Sequence, residues 1–530
     1  MSRVDSMINI LSVENMRRSD AATIAAGTPG RELMMRAARG VFESVSWKPP
    51  VAIVCGSGNN AGDGYALALL LCEAGIECTV FCVYDRFSED GRYYYDQCVK
   101  RGIICINAFD ESKDGSIDES KKVSKRTVPF DTFNTVVDCL LGTGFKGEVR
   151  PELKAVIDAI NDCEAYKVSV DINSGLNGDN GMAVTCVRSD LTVSVGGFKP
   201  GHFLNMAKDV MADKVNIDIG IEPVEEPYML LEEADMRAAL GTRSNFSNKG
   251  TYGYTALIGG STRYSGAIRL AYMANAAMRS GAGVVKVALP GSLVHDVAPH
   301  ILESTLFPLS ERPVKDDSDI LTEVIHVPEE IDELTANVKT VAFGMGIGTS
   351  EGAKAILEHL LGKYEGTLII DADGLTLLSG IDQAGIRNRK CDIVLTPHVK
   401  EFSRLSGATV SDIQNNPIGL AQQYAAEHKL TVLLKGPSTL VTDGDRVYIT
   451  DRGCAGMATA GSGDVLSGIL AAVCAFGAKD AGTSTRDITL AAAVAAYING
   501  AAGERAEKEF GSISMIASDT IAAIPQVLSI

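Results

Sequence analysis

The chain has 530 residues, of which 46% are apolar and 22% are charged, and its formal net charge is −18. A chain of this length is too long for one ordinary hydrophobic core, so we expect two domains. The acidic balance excludes a general nucleic-acid-binding protein, because such a protein carries a basic surface.

Both halves of the chain alternate short β-branched runs with helical stretches. Apolar runs this continuous are typical of central strands in mostly parallel α/β sheets. The acidic, proline-containing segment 220–245 predicts a domain boundary, which divides the chain into residues 1–225 and 226–530. The predicted strands are residues 51–55, 78–84, 135–141, 167–172 and 191–196 in the first half, and 254–260, 284–289, 340–346, 367–373, 392–397 and 431–436 in the second.

Other local signals refine this organisation. An Asp-Gly pair within residues 438–450 predicts a β-hairpin, and the charged residues 110–126 predict an exposed loop. No apolar stretch approaches the ~20 residues of a membrane span, and the first 20 residues lack the apolar run of a secretory signal. None of the 12 Cys forms a C-x-x-C pair. We therefore expect buried, reduced thiols in a cytoplasmic protein that contacts no membrane.

A glycine-rich loop, GMATAGSGDVLSGI, occupies residues 456–469. Gly461 and Gly463 let backbone amides approach an anion closely, and the apolar run after Asp464 predicts a helix whose positive end faces that anion. This pattern indicates a seat for the terminal phosphates of a nucleotide, with Asp464 as an ionised base. A helix cap at Asp464 beside a tight turn is the alternative interpretation.

Five further motifs follow or end predicted strands, where ligands gather in such sheets. They are NKGTYGYTALIGGSTRYSGA (248–267), FGMGIG (343–348), DADGL (371–375), TPHVKEF (396–402) and KGPSTL (435–440). Together with the glycine loop they resemble the ribokinase-like superfamily and, within it, the NAD(P)H-hydrate dehydratase family. The resemblance covers residues 240–525 and implies a ribokinase-like α/β domain.

That family uses a nucleotide to phosphorylate the ring hydroxyl of hydrated NADH or NADPH and then eliminates phosphate. The resemblance implies that Asp464 takes the proton of this hydroxyl while the amides of residues 461–463 stabilise the charge. It further implies ADP, with ATP as the alternative, accompanied by a magnesium ion. Asp371 and Asp373 either hold this metal indirectly or cap a strand end. The implied nucleotide contacts are Lys435, Gly436, Pro437, Ser438, Thr439 and Gly463, and those of the hydrated cofactor are Ala267, Gly346, His398 and Asp464.

A different glycine loop, CGSGNNAGDGYALALLL, occupies residues 55–71. It satisfies a relaxed G-x-G-x-x-A dinucleotide fingerprint, and Asp85 lies at a plausible distance beyond it. Two features argue against an ordinary dehydrogenase. We expect Gly62-Asp63-Gly64 to break or delay the helix, and Asp63 would place a carboxylate near the pyrophosphate.

Together with VVDCLLGTGFKGEVR (136–150) and VDINSGLNGDNG (170–181), this loop resembles the NAD(P)H-hydrate epimerase family over residues 10–220. The resemblance implies a Rossmann-like three-layer domain that interconverts the two epimers of the hydrated cofactor. It implies a potassium ion on Asn60, Asp138 and Ser174, with Asp171 as the acid/base group. Lys199 either assists or lies on the surface. The implied cofactor contacts are Asn59, Asn60, Ala61, Gly62, Asp63, Gly142, Thr143, Gly144, Phe145, Lys146, Gly147, Glu148 and Asp171.

The chain departs from the epimerase pattern at Ala61, at Asn173 and in LMMRAAR (33–39). These departures leave open a first domain that serves only structure or partner binding. A small-metabolite kinase with a non-catalytic first domain is the rival for the whole chain, and a dehydrogenase ranks below it. Folds of this kind often form closed homo-oligomers, which we expect here.

Overall fold

The computed structural model describes residues 7–109, 130–261, 266–315, 320–477 and 487–529. The loop predicted at residues 110–126 lies outside this part of the chain. The chain divides into two compact units, Asn9–Pro227 and a larger unit made of Met1–Ile8 with Tyr228–Ile530. Within the described ranges, no helix is long and apolar enough to cross a bilayer.

The smaller unit is built on a seven-stranded sheet in which every pair of neighbouring strands is parallel. Its elements, with the strand that precedes them, are β1 (Ile8–Ile10), α1 (Val13–Ala25), α2 (Gly30–Ser44), β2 (Val51–Cys55), α3 (Asn59–Glu73), β3 (Cys78–Cys82), α4 (Glu89–Lys100), β4 (Ile104–Asn107), β5 (Thr135–Cys139), α5 (Pro151–Asp162), β6 (Tyr166–Val170), β7 (Ser189–Val195), α6 (Ala207–Val210) and β8 (Met211–Ile217). The strand order is β4-β3-β2-β5-β6-β7-β8. The chain reverses direction across the sheet between β2 and β5, which opens a crevice at their carboxyl ends.

The larger unit continues with β9 (Tyr228–Leu230), α7 (Glu233–Leu240), β10 (Tyr254–Ile258), α8 (Gly266–Arg279), β11 (Val284–Pro290), α9 (Val294–Val297), β12 (Thr305–Leu309), β13 (Glu311–Lys315), β14 (Ile320–Val324), α10 (Pro328–Thr335), β15 (Thr340–Phe343), α11 (Glu351–Lys363), β16 (Thr367–Ile370), α12 (Asp373–Leu378), α13 (Gln383–Arg387), β17 (Asp392–Leu395), α14 (Val399–Ser406), α15 (Val410–Asn415), α16 (Pro417–His428), β18 (Thr431–Leu434), β19 (Thr439–Thr442), β20 (Val447–Thr450), α17 (Ser462–Phe476), α18 (Ile488–Phe510) and α19 (Ala517–Leu528). Its sheet has eleven strands in the order β1-β9-β20-β19-β18-β17-β16-β15-β10-β11-β12. Neighbours from β18 through β12 are parallel, and β18, β19 and β20 are antiparallel.

The helix that follows the second glycine loop lies at the centre of the larger unit. Every residue of α17 from Asp464 to Ala475 is buried, and α17 packs against α8, α18 and the strands β10, β15 and β16. A helix that is apolar on all sides is stable only inside such a core. The structure therefore fixes the start of α17, and with it the glycine loop, against the sheet.

The structure confirms the predicted fold class, since both units are α/β layers around parallel sheets. Every predicted strand is present, and the predicted hairpin is the antiparallel pair β19 and β20. The sequence did not predict β1, β4, β8, β9 or β12 to β14, which are short or lie towards the sheet edges. Edge strands lack the continuous apolar run that marks a strand buried on both faces.

One expectation about the first glycine loop is wrong. Helix α3 begins at Asn59 and runs without a break through Gly62, Asp63 and Gly64. A Cβ on Gly62 would lie 2.5 Å from Cε of Met34, and one on Gly64 would lie 2.9 Å from Sγ of Cys55. The glycines therefore allow close packing of the helix against α2 and the sheet, rather than interrupting it.

Candidate active sites

A cavity of about 550 Å³ opens in the smaller unit. Its walls come from the first turn of α3 after β2, the loop after β5 and the end of β6. Of the predicted epimerase-site residues, those that line it are Asn59, Asn60, Asp63, Gly142, Thr143, Gly144, Phe145, Asp171 and Lys199. Ala61 and Gly62 are buried within α3, and Lys146, Gly147 and Glu148 lie exposed on the loop after β5.

Asp171 follows β6 directly and forms an ion pair with Lys199 in this cavity. Its Oδ1 accepts a hydrogen bond of 2.5 Å from Nζ of Lys199, and its Oδ2 accepts one of 3.1 Å from the N–H of Thr143. The backbone of Asp171 has a φ of 66°, a conformation that a non-glycine residue holds only when its surroundings enforce it. Burial alone would raise the pKa of Asp171, but the Lys199 ammonium and these hydrogen bonds lower it below its ordinary value.

The interpretation of Lys199 as a surface lysine is wrong. Its side chain is 1% exposed, because the turn at Pro200–His202 directs the chain so that Nζ reaches Asp171 and also donates to the carbonyl of Val195 at 2.9 Å. A charged side chain is buried this deeply only when it is paired and hydrogen-bonded.

His202, which the sequence reasoning did not single out, completes the group. Its Nδ1 accepts a hydrogen bond of 2.9 Å from the N–H of Lys199, so Nε2 carries the proton and donates to the backbone carbonyl of Asp171 at 2.8 Å. Burial, with the nearby Lys199 charge, lowers the pKa of His202 to about 4. The ring is therefore neutral near pH 7 and holds the backbone of both Lys199 and Asp171.

Asp63, on α3, faces the same cavity, and its pKa is shifted in the direction opposite to that of Asp171. Burial, and then the charge of Asp171, raise the pKa of Asp63 well above its ordinary value. The cavity thus holds two carboxyl groups whose surroundings move their pKa values apart. Such a pair can supply one proton donor and one proton acceptor at the same pH.

Asn60, Asp138 and Ser174, to which the resemblance assigns potassium, lie together beside the loop that follows β5. Ser174 donates to Oδ1 of Asp138 at 2.5 Å, and the hydroxyl of Ser174 and Nδ2 of Asn60 both contact the carbonyl oxygen of Leu141, at 3.2 and 3.0 Å. Among the described residues, Oδ1 of Asn60 is buried without a hydrogen-bond partner. A buried amide oxygen left in this way fits a hard cation. Burial raises the pKa of Asp138 despite four hydrogen bonds to its carboxylate, from Leu140, Ser169 and Ser174.

In the larger unit, the second glycine loop begins α17 as its sequence predicts. Gly461 has a φ of 93° and precedes the helix, whose first turn contains Gly463 and Asp464. Asp464 is 8% exposed. A Cβ on Gly463 would lie 3.7 Å from Nζ of Lys435 and 3.9 Å from Oδ2 of Asp371. The structure therefore brings the glycine loop, Lys435 and Asp371 to one place at the carboxyl ends of β16 and β18.

Asp371 makes contacts that the sequence left open. Its Oδ1 accepts a hydrogen bond of 3.0 Å from Nζ of Lys435, and its Oδ2 accepts one of 2.8 Å from Oγ of Ser467. Lys435 also lies 3.8 Å from Oε2 of Glu401. Although burial lowers the pKa of Lys435, the charges of Asp371, Glu401 and Asp464 raise it above its ordinary value. Asp373 is placed differently, and its Oδ2 accepts a hydrogen bond of 2.9 Å from the N–H of Gly348.

His398 is a helix cap as well as a candidate contact. Its Nδ1 accepts hydrogen bonds from the N–H groups of Lys400 and Glu401, at 3.0 and 3.2 Å, and Glu401 accepts one of 2.8 Å from the N–H of His398. Nε2 of His398 lies 3.6 Å from Oε1 of Glu401, on a side chain that is 49% exposed. The cap fixes the ring, and the bridge between His398 and Lys435 places it beside β18.

The remaining predicted contacts lie around this group. Gly436 and Pro437 are exposed, Ser438 is buried with its Oγ 3.1 Å from Oδ1 of Asp451, and Thr439 begins β19. Gly346 is half-buried with a φ of 64°. Ala267 belongs to α8, and its side chain lies outside the described part. Among the residues that the structure describes, no group of three or more His, Cys, Asp or Glu side chains is arranged to hold a metal ion.

Two family models match the chain, one in each half. Residues 255–526 match the family model of NAD(P)H-hydrate dehydratase, and residues 30–201 match that of the YjeF-related protein N-terminus. Among solved structures, an ADP/ATP-dependent NAD(P)H-hydrate dehydratase from Bacillus subtilis, co-crystallised with ATP and Mg²⁺, is 24% identical with a TM-score of 0.45 and covers 56% of this chain and 96% of that one.

Two relatives are similar over nearly the whole length. A bifunctional NAD(P)H-hydrate repair enzyme of Moorella thermoacetica is 33% identical over 491 residues, which are 90% of this chain and 87% of that protein. One of Methanothermobacter thermautotrophicus is 32% identical and covers 98% of this chain and 95% of that protein. The chain therefore belongs to the family of bifunctional NAD(P)H-hydrate repair enzymes.

Proposed function

We propose that the chain repairs hydrated NADH and NADPH, with an epimerase site in the smaller unit and an ADP-dependent dehydratase site in the larger. The observation that carries the proposal is the meeting of Gly463, Asp464 and Lys435 at the start of α17. A helix start with a preceding glycine, a carboxylate and an ammonium lie close together here, which supports phosphate binding at this point. The charges are those that phosphoryl transfer to a hydroxyl requires.

In the dehydratase site, Asp464 accepts the proton of the ring hydroxyl while the hydroxyl oxygen bonds to the terminal phosphorus of ADP. AMP leaves with the electron pair of the broken P–O bond, and the amides around Gly463 and the Lys435 ammonium stabilise the transferred charge. The ring phosphate then departs with the C–O bonding pair. The adjacent ring carbon loses a proton to the departing phosphate, which restores the double bond of the reduced cofactor. The roles of Gly436 to Thr439, Gly346, His398 and Ala267 as contacts belong to the same proposal.

In the epimerase site, the hydroxylated ring carbon loses its oxygen and regains it on the other face. Asp63, with its raised pKa, gives a proton to the departing oxygen, which leaves as water. Asp171, held ionised by Lys199, takes a proton from the water that attacks the other face, and the proton returns to Asp63 through solvent before the next turnover. The positive start of α3, with Asn59 and Asn60, receives the pyrophosphate.

Two cations accompany this function. Asn60, Ser174 and Asp138 would hold a potassium ion, for which the unpartnered Oδ1 of Asn60 is suited, and the ion would supply local positive charge beside the cavity. A magnesium ion would neutralise phosphate charge on ADP. Lys435 and Ser467 already form hydrogen bonds with both carboxylate oxygens of Asp371. We therefore expect nucleotide phosphates and water to supply most of the ligands of the magnesium ion.

The test is an absorbance assay with a mixed-epimer preparation of hydrated NADH, magnesium and either ADP or ATP. Complete recovery of the reduced-nicotinamide band with ADP is the expected result. Recovery that stalls near the starting share of one epimer would refute the epimerase site. No recovery with either nucleotide would refute the dehydratase site, and accumulation of a stable phosphorylated product would indicate a small-metabolite kinase.

A further inference from the structure

The carboxylate of Asp371 joins two parts of the dehydratase site that are far apart in sequence. Lys435 follows β18, and Ser467 lies one helical turn after Asp464 on α17. Asp371 contacts both, at 3.0 and 2.8 Å, and is 3% exposed. From this bridge we infer that Asp371 is a positioning residue, which holds the Lys435 ammonium against the phosphate-binding loop through Ser467. The inference rests on the proposed dehydratase function.

The position of Asp371 is itself held tightly. The backbone N–H of Asp371 donates to the carbonyl of Phe343 at 3.1 Å, and the N–H of Ala372 donates to Oδ1 at 2.9 Å. Ala372 has a φ of 51°, and a Cβ on Gly344 would overlap the carbonyl oxygen of Asp371. Strain that the surroundings impose in this way is common where a side chain must hold one direction.

The geometry of Gly463 shows why such positioning matters. Lys435 and Asp371 lie just beyond the space that a Cβ on Gly463 would fill, at 3.7 and 3.9 Å. A phosphate held by the amides of this loop therefore meets the ammonium of Lys435 with the Asp371 carboxylate close by. The lysine attracts this phosphate, whereas the carboxylate repels it. Asp371 thus lowers the charge available for binding while it fixes the direction of Lys435.

This arrangement gives a prediction that a nucleotide-binding role would not. Asp371→Asn keeps the size of the side chain but removes its charge, so Lys435 is freed to move and is less neutralised. We expect kcat for dehydration to fall on the order of 10- to 100-fold, as misplaced catalytic groups do. We expect Kd for ADP with magnesium, measured by calorimetry, to stay unchanged or to decrease.

Magnesium supplies the readout that separates positioning from metal binding. If Asp371 positions Lys435, the magnesium concentration for half-maximal ADP binding is the same in Asp371→Asn and wild type. A raised magnesium requirement, with kcat restored at high magnesium, would overturn the inference in favour of a metal ligand. An unchanged kcat in a variant that binds ADP normally would overturn it outright.

Two further variants provide a second test and a control. Ser467→Ala removes only the hydrogen bond between Ser467 and Asp371. We expect a smaller loss in kcat than in Asp371→Asn, with the affinity for ADP again not reduced. An unchanged kcat in Ser467→Ala would count against the bridge even if Asp371→Asn failed to fold. Asp443→Asn removes a carboxylate that pairs with Arg446 on the β19–β20 hairpin and should leave dehydration unchanged. A wild-type protein that binds ADP but dehydrates nothing would refute the proposed function instead, whatever the variants do.

Discussion

Asp171 and Lys199 form a buried ion pair of 2.5 Å at the carboxyl ends of the neighbouring parallel strands β6 and β7. The lysine is 1% exposed and the aspartate 15% exposed at their side chains. Each charge is compensated by the other and by backbone groups of Val195 and Thr143. The pair therefore lies in the cavity with its direction fixed before any ligand binds.

Removal of this lysine should destabilise the smaller unit. Lys199→Met keeps the length of the side chain but leaves Asp171 as an unpaired buried charge, which costs about 3–5 kcal/mol in unfolding free energy. Urea unfolding measures the loss. Lys154→Met, which removes an exposed pair with Asp158 on α5, is the matched control and should change stability little. Equal stabilities of the two variants would show that the buried pair is not compensated as described.

The neutral ring of His202 predicts a dependence of stability on pH. The unfolded histidine takes up a proton near its ordinary pKa of 6.5, whereas the folded one does so only near 4. The stabilisation is fully present above about pH 6.5 and is lost as the pH falls towards 4, by up to about 3 kcal/mol. In His202→Gln this part of the slope should vanish. Unfolding by urea at pH 7 and pH 5 in both proteins measures it, and identical slopes would contradict the assignment.

The two sites should be separable by single substitutions. Asp464→Asn should abolish dehydration while epimer exchange continues, because only the carboxylate on α17 takes the hydroxyl proton. Asp171→Asn should abolish epimer exchange while dehydration of one epimer continues. Chromatography of the two hydrates, alongside recovery of absorbance at the reduced-nicotinamide band, measures both activities. Loss of both activities in either folded variant would refute this division.

Two glycines of the larger unit should respond differently to alanine. In Gly463→Ala the new Cβ makes ordinary contacts, at 3.7 and 3.9 Å, so the fold should persist while the affinity for ADP falls on the order of tenfold. In Gly344→Ala the Cβ overlaps the Asp371 carbonyl at a φ of 119°, which should destabilise the protein by at least about 2 kcal/mol. Thermal unfolding with and without ADP distinguishes the two effects, and a Gly463→Ala variant with unchanged ADP affinity would place the nucleotide elsewhere.

The central strands and the helix start at the second glycine loop could be predicted from the sequence because each depends on local information. A strand buried on both faces needs a continuous apolar run, as in Val51–Cys55 and Thr367–Ile370. The turn into α17 needs a glycine at residue 461, where φ is 93°. The residues that determine each of these features lie next to one another in the sequence.

The charge networks could not be predicted in this way. Nothing in the sequence around Lys199 distinguishes a buried lysine from an exposed one, since its partner is 28 residues earlier. Ser467 and Asp371 are 96 residues apart, and they meet only because α17 packs across β15 and β16. The sequence around Gly62 and Gly64 likewise predicted a broken helix. These glycines instead allow close packing against Met34 and Cys55, which lie in other elements and cannot be recognised from the local sequence.

The division of the chain has a consequence for gene fission. The polypeptide passes between the units at residues 8–9 and again at 227–228. Met7 packs against the core of the larger unit, while Leu11 donates a backbone hydrogen bond of 2.8 Å to Phe198 in the smaller one. A gene divided only after codon 227 would therefore leave Met7 and Ile8, which belong to the larger unit, attached to the smaller one. Two self-sufficient halves would require these residues to be encoded together with the larger unit.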